Sequence, residues 1–343
     1  MRQFVGMRRA IAAAAFVLLA FGLAACSFSD APQTTIAPRS DNADSIQSVY
    51  VIVFWLAVVV FIGVMLATIV FALMFRERAD RQAKQFHGNA RLEVLWTLIP
   101  VIIVVIIAVP TFNSLAETSA APPEDALHVE VIGHQWWFEF RYDNVGGVEQ
   151  VVSANELHLP VDRAVDFTLK SADVIHSFWV PQLGGKVDLV PGHENDLWFT
   201  PNTVGEYLGQ CAEFCGDSHA LMRFRVFVHS QADFETWAQN EASDAVEPTD
   251  EAIMAGQAAF LGNACIGCHT VQGTTAVGQV GPNLSHVGAR TTLAAGIMDN
   301  TPENMANWIR NAPSIKPGSI MPAFPALSDE DLQAIVAYLQ SLK

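Results

Sequence analysis

Two long apolar runs constrain this chain more than any other feature. Val49–Phe75 holds no charged residue, and Val94–Leu115 is a second run broken only by Pro100 and Pro110. Each reaches the roughly 20 residues that a helix needs to cross a bilayer. Proline is tolerated in such helices because neighbouring groups satisfy the freed backbone. Between the runs lies Arg76–Arg91, with Arg76, Arg78, Arg81, Lys84 and Arg91. The positive-inside rule places this loop in the cytoplasm and the rest of the mature chain outside. Two buried helices of a soluble protein would explain neither the length nor the basic loop.

The N-terminus agrees with that orientation. Arg2, Arg8 and Arg9 precede the short apolar run Ile11–Leu23, which ends Leu23-Ala24-Ala25-Cys26. This is the pattern of an export signal. Its ending resembles a bacterial lipobox, which implies that Cys26 becomes the lipidated first residue. An ordinary signal peptide with a chance cysteine is the alternative.

Charge is spread unevenly along the 343 residues. Residues 1–116 carry nine Lys/Arg and six Asp/Glu, a net +3; residues 117–245 carry six and twenty-one, a net −15; residues 246–343 carry four and eight, a net −4. The acidic middle argues against nucleic acid and is equally read as a surface for a basic protein partner steered by charge or as solubility alone.

After an Ala/Pro/Glu stretch over 117–125, hydropathy alternates with period two. Leu127, Val129 and Val131 alternate with His128 and Glu130, as in a half-buried strand. Further strands are expected over 165–169, 176–180, 196–199 and 222–228, separated by Gly, Pro and Asn. Many short strands with turns predict a sandwich or barrel.

Within this region stands Cys211-Ala-Glu-Phe-Cys215-Gly-Asp-Ser-His219-Ala-Leu-Met222. Two thiolates, an imidazole and a thioether in so short a run suit copper. Two cysteines can bridge a metal pair, which a mononuclear blue-copper site with one Cys cannot do. A zinc site of two Cys and two His is the alternative, and it leaves Met222 idle. With His176 upstream, the run resembles the dinuclear copper A centre of cytochrome c oxidase subunit II.

The resemblance implies a cupredoxin-type Greek-key barrel holding two copper ions. Cys211 and Cys215 match the bridging cysteines, His176 and Met222 the ligands of one copper, and His219 with the Glu213 carbonyl those of the other. The Glu213 side chain matches a family residue that reaches magnesium at the boundary with subunit I; carboxylate oxygen suits that hard ion. Gly133-His134-Gln135-Trp136-Trp137-Phe138 resembles the family's aromatic patch, and Trp136 matches the tryptophan that receives electrons from cytochrome c. Phe138 departs from the commoner tryptophan, and His193 from the commoner arginine. Glu93, in Leu92-Glu93-Val94-Leu95-Trp96, matches a glutamate at the mouth of a proton path. From the residues alone, a helix-start carboxylate favoured by the dipole is the better reading of Glu93, and the resemblance reverses that. His128, His134, His158, His193 and His229 have no ligand spacing and are expected to be satisfied or exposed.

The acidic stretch 241–251 reads as a linker. Beyond it comes Cys265-Ile-Gly-Cys268-His269, the pattern of covalent c-type haem attachment with the histidine as axial ligand. Met298, Met305 and Met321 are candidates for the sixth ligand. Met321, in Lys316-Pro-Gly-Ser-Ile-Met321-Pro322, resembles the ligand loop of small bacterial cytochromes c. Gly281-Pro282-Asn283-Leu284 resembles the loop that covers the proximal histidine. A last helix is expected from the N-cap Ser328, with Leu332, Ile335, Val336 and Leu339 on its core face. All five cysteines fall in these motifs, so no disulfide is required.

The expected organisation is therefore a leader through residue 26, a membrane hairpin within 48–116, a copper domain over 126–240, a linker over 241–251 and an all-α class I cytochrome c domain over 252–343. The resemblance implies a multi-pass subunit II of a bacterial inner-membrane oxidase, partnered by subunits I and III, membrane lipid and cytochrome c or another donor. Oxygen reduction and proton translocation would then belong to subunit I, and tethering would raise the cytochrome's effective concentration at the copper domain. The rival readings are a copper A-containing nitric oxide reductase and a lipid-anchored electron shuttle. A quinol oxidase subunit should lack the copper ligands.

Overall fold

A computed structural model describes residues 31–76 and 88–343. The leader, Cys26 and the loop residues Arg78, Arg81 and Lys84 lie outside the described residues.

The apolar runs form α1 (Asp41–Met74) and α2 (Ala90–Thr118). Their most apolar stretches have mean hydropathy 3.0 and 2.8 and are nowhere buried by protein. Side chains this apolar need a lipid surround, so the pair is a membrane hairpin. Ser45 Oγ, near the start of α1, lies 2.9 Å from Ser114 Oγ and 2.9 Å from Glu117 Oε2 near the end of α2. The helices are therefore antiparallel. At the start of α2, Asn89 Oδ1 accepts from Arg91 N while Asn89 N donates to Glu93 Oε1 at 3.2 Å. This reciprocal arrangement caps the helix start much as a capping box does, with Glu93 one residue further along.

Both helices extend beyond their apolar runs because their outer ends are tied to the next domain. Ser40 caps α1 and donates from Oγ to Leu183 O at 2.5 Å; Asp41 Oδ1 accepts from Thr200 N at 2.7 Å. Trp198 Nε1 donates to Ala120 O at 2.6 Å, just past α2.

The middle domain has ten strands: β1 (Leu127–His134), β2 (Trp137–Val145), β3 (Val148–Ala154), β4 (Glu156–Pro160), β5 (Val165–Ser171), β6 (His176–Trp179), β7 (Val187–Leu189), β8 (Asn195–Phe199), β9 (Gly205–Cys211) and β10 (Arg223–His229). They form two five-stranded sheets, ordered β3-β2-β1-β5-β8 and β4-β10-β9-β6-β7. The β1–β5 and β4–β10 pairs are parallel and the rest antiparallel. These are the Greek-key sheets of a cupredoxin-like domain. Gly146 and Gly147, both at positive φ, make the two-residue turn between β2 and β3, a turn type that needs this backbone at both positions. Phe138, Phe140, Phe167, Phe178, Phe199 and Phe224 fill the space between the sheets. Phe138 packs edge-on against Phe224 with centroids 4.9 Å apart.

Helix α3 (Gln231–Glu241) closes this domain, with Phe234 and Ala238 on its buried side. The acidic stretch that follows is hydrogen-bonded to the last domain: Ala245 N donates to Gln272 O at 3.1 Å, and His286 Nε2 lies 3.1 Å from Ser243 O.

The last domain is built on α4 (Glu251–Gly262), α5 (Pro302–Ile315) and α6 (Asp329–Ser341), with the short pair β11 (Thr292–Leu293) and β12 (Met298–Asp299). Ser328 caps α6 by accepting from Asp331 N, and Leu332, Ile335, Val336 and Leu339 are buried. Gly256 lets α4 meet α6 closely, because a Cβ there would stand 2.0 Å from Ala334 O. Helix α5 kinks at Asn311, two residues before Pro313. This is a helical cytochrome c domain.

Candidate metal and haem centres

Strand pairing gathers the sulfur and imidazole donors at one end of the second sheet. β6 begins at His176, β9 ends at Cys211, and the two pair at Phe178↔Cys211. β10 starts directly after Met222, and Cys211 N donates to Met222 O at 2.9 Å. Cys211 Sγ and Cys215 Sγ are 3.7 Å apart. Cys211 Sγ is 4.0 Å from His176 Nδ1 and 3.2 Å from Glu213 O. Cys215 Sγ is 3.5 Å from His219 Nδ1 and 3.9 Å from Met222 Sδ. The residues proposed from sequence for this centre are thus brought together, with each sulfur touching one histidine. His176, Cys211 and Cys215 are all buried and place ligand atoms within 4.8 Å of one another. Spacings of this size are what ligands sharing a metal require, given metal–sulfur and metal–nitrogen bonds of about 2.0–2.3 Å. The donor set therefore fits a metal pair bridged by two thiolates.

The electrostatics prepare the same site. The hydrogen bond from Cys215, opposed by burial and reinforced by His176, pulls the Cys211 thiol down to about 3. The neighbouring Cys211 thiolate and burial push Cys215 well up. Ligands bind as thiolates, so metal loading at this pair releases protons. Burial opposes charge on His176, but Cys211 and Asp173 outweigh it and raise its pKa. Asp173 Oδ1 lies 2.8 Å from His176 Nε2, so Nε2 is engaged and Nδ1 is left for a metal, the usual outer support of a ligating histidine. Asp173 Oδ2 also accepts from Gln135 N at 2.7 Å. Gly133 makes room for the ring: a Cβ there would stand 2.7 Å from His176 Cδ2. Sequence reasoning missed Asp173; its position three residues before His176 was the available signal.

Trp136 lies between this centre and the last domain. Its Nε1 donates to Cys215 O at 3.0 Å, and Gln135 Nε2 donates to the same oxygen at 2.7 Å. It is 7% exposed. Phe138, by contrast, belongs to the barrel core.

The cytochrome domain contains a cavity of about 250 Å³, lined by Cys265, Cys268, His269 and Met321 among mostly apolar residues, and by Trp136 from the copper domain. One turn after α4 brings the attachment residues together, with His269 N donating to Cys265 O at 3.0 Å. His269 Nδ1 donates to Pro282 O at 2.8 Å, which fixes the ring and leaves Nε2 for iron. Burial lowers the His269 pKa and keeps the ring neutral, as ligation requires. A Cβ at Gly281 would stand 2.6 Å from His269 Cε1, so glycine makes the cradle. The chemistry and shape of this lining fit a haem. Of the other methionines, Met298 is not part of the lining, and Met305 is buried with its sulfur 3.6 Å from Gln340 Nε2. Arg310 secures the Met321 loop by donating to Phe324 O and Leu327 O at 3.1 and 2.6 Å.

The remaining candidates are placed as follows. The Glu213 side chain is half-buried beside exposed Phe214. Glu93 stands far along the chain's fold, in the first turn of α2. His158 pairs with His229 at 2.9 Å and stacks on Trp237 at 4.1 Å; burial and the neighbouring His229 hold His158 well below its usual pKa. His134 stacks on Trp137, and His128 faces Asp166 at 3.5 Å.

Fold and site together define a membrane-anchored cupredoxin-like protein with a fused cytochrome c domain. Residues 33–114 match the transmembrane domain of cytochrome c oxidase subunit II, residues 144–229 its periplasmic domain, and residues 253–343 cytochrome c. Cytochrome c oxidase subunit 2 of Alkalihalophilus pseudofirmus is 39% identical, over 81% of this chain and 83% of the relative. That of Bacillus subtilis is 34% identical over 76% and 77%. The crystal structure of the periplasmic domain of cytochrome oxidase subunit II from Bradyrhizobium japonicum is 30% identical, covering 35% of this chain and 95% of that one, with a TM-score of 0.32. The chain belongs to the cytochrome c oxidase subunit 2 family.

Proposed function

We propose that this chain is the electron-entry subunit of a respiratory haem–copper oxidase in a bacterial inner membrane. Electrons pass from cytochrome c or another donor through its haem domain and copper pair to subunit I, where oxygen reduction is coupled to proton translocation. The observation that carries this reading is the meeting of two redox sites on one residue: Trp136 lines the haem cavity and bonds to the copper loop at Cys215.

A copper pair bridged by thiolates shares one electron with little change of geometry, and a haem held by His and Met exchanges one electron at a raised potential. The chain's own residues provide the rest. Cys211 and Cys215 would hold both metals, with His176 and Met222 serving one and His219 with the Glu213 carbonyl the other. Asp173 orients His176, and the aromatic core keeps water from its side of the site. Cys265 and Cys268 would hold the haem, with His269 and Met321 as the residues for its iron.

The finer assignments belong to the same reading. The Glu213 carboxylate takes a magnesium ion at the boundary with subunit I, and Glu93 opens a proton path. Cys26 carries lipid, subunit III completes the complex, and the domains divide near residues 26, 48–116, 126–240, 241–251 and 252–343.

The test is to purify the intact complex through this chain and compare oxygen and nitric oxide consumption with reduced cytochrome c as donor. Rapid, cyanide-sensitive oxygen uptake is expected. Nitric oxide turnover with little oxygen uptake would contradict the oxidase reading.

A further inference from the structure

Two buried polar side chains, an amine and a carboxylate, cross the boundary between the copper and cytochrome domains in opposite directions. Lys316, just past α5, is 4% exposed, and its Nζ donates to Trp136 O at 2.5 Å and to Ala294 O at 3.0 Å. Glu156, at the start of β4, is also 4% exposed. Its Oε1 accepts from Thr291 N, Thr291 Oγ and Thr292 N at 2.7, 2.6 and 3.3 Å.

The segment beside Lys316 is keyed into the copper loop as well. Ser218 Oγ donates to Pro317 O at 2.6 Å. Gly318 has φ +79°, and a Cβ there would stand 2.5 Å from Trp136 Cη2. This is a left-handed position with no room for a side chain. Two hydrogen bonds, Lys316 Nζ to Trp136 O and Trp136 Nε1 to Cys215 O, thus join the loop of Met321 to the loop of the cysteines.

These contacts discriminate between poses. An apolar contact tolerates sliding. A buried amine or carboxylate that loses its hydrogen-bond partners is stranded without water, which is costly. Each group here is satisfied by the other domain: Lys316 in part by Trp136, and Glu156 by Thr291 and Thr292. A domain that swings on its tether would gain nothing from such groups.

We propose that Lys316 and Glu156 are positioning residues that hold the cytochrome domain in one electron-transfer pose, with Trp136 reserved for the chain's own haem rather than for an external donor. This rests on the functional reading above. The step served is a one-electron transfer: the haem iron is oxidised, the copper pair is reduced by one electron, and no proton or group moves. An external donor must then deliver to the cytochrome domain, because the covered Trp136 offers it no surface.

The test uses the complex purified through this chain, with Lys316→Met and Glu156→Ala made separately. Glu156 touches neither centre, so its variant reads out docking even if Lys316→Met disturbs the nearby loop. For each, the haem spectrum, the copper electron paramagnetic resonance spectrum and both midpoint potentials are recorded first; both centres should remain assembled in both variants, and in Glu156→Ala, which lies outside the haem lining, the potentials should be unchanged as well. Amide hydrogen exchange is then followed over residues 291–295, and haem-to-copper transfer is timed after photoreduction of the haem. Faster exchange is expected, with transfer slowed roughly tenfold or more by the loss of fixed geometry. Unchanged exchange and an unchanged rate in variants with intact centres would overturn the inference while leaving the functional reading in place. Absence of haem-to-copper transfer in the unmodified complex would overturn both.

Discussion

In the copper domain the sulfur and imidazole donors stand 3.2–4.0 Å from their neighbours before any ion is added. In the cytochrome domain Cys265, Cys268, His269 and Met321 line a cavity of about 250 Å³. The first site sits at one end of a core that is already packed, with Cys211, Cys215 and Met222 buried at its edge. Two sheets clasp a phenylalanine cluster, and the strand ends deliver the ligands. The second site lies within the core of a small helical unit, so its cofactor is also the filling. A lining this apolar leaves water once haem is seated, so holding the cofactor adds to the domain's stability. One centre is organised by the protein; the other helps to organise the protein.

The strongest attempt to break this contrast is to remove haem attachment. Cys265→Ala with Cys268→Ala should leave the cytochrome domain open to proteolysis while the copper signal persists. A protease-resistant haem-free domain would show that its core stands alone. Next, Cys215→Ser should abolish the shared-valence copper signal yet cost the barrel under about 2 kcal/mol, since the phenylalanine core is untouched. An unchanged electron paramagnetic resonance spectrum would exclude the bridging assignment, and a collapsed barrel would erase the contrast. Met321→Ala is a smaller change. Haem should stay bound by its thioethers, with a shifted potential and without the methionine–iron absorption band. If Met298→Ala does this instead, the ligand is Met298. Smallest of all, Ser328→Ala removes the cap of α6 and should cost the cytochrome domain about 1 kcal/mol. Calorimetry should show no matching change in the copper domain.

Both centres were legible in the sequence because their ligands are mostly local. Cys211 to Met222 is one loop, and Cys265 to His269 is one turn. The membrane hairpin was legible from hydropathy, but not its full length. The outer ends of α1 and α2 are polar and are set by bonds to Leu183, Thr200 and Trp198, far along the chain. The β2–β3 hairpin was passed over although Gly146-Gly147 marks its turn; Phe138 is read in sequence as part of an aromatic patch when its place is the core. Lys316 and Glu156 carry no signature at all, and Asp173 only its place three residues before His176. A lone lysine or carboxylate reads as surface until the fold brings it to a partner in another domain or behind a ligand. What remained hidden was therefore the relation between the domains.

The most direct test of the central claim is electron paramagnetic resonance of the oxidised complex with its copper counted. One unpaired electron split equally by two copper nuclei, alongside one low-spin haem on this chain, is the predicted result. A spectrum split by a single copper nucleus, or a chain holding zinc in place of copper, would contradict it.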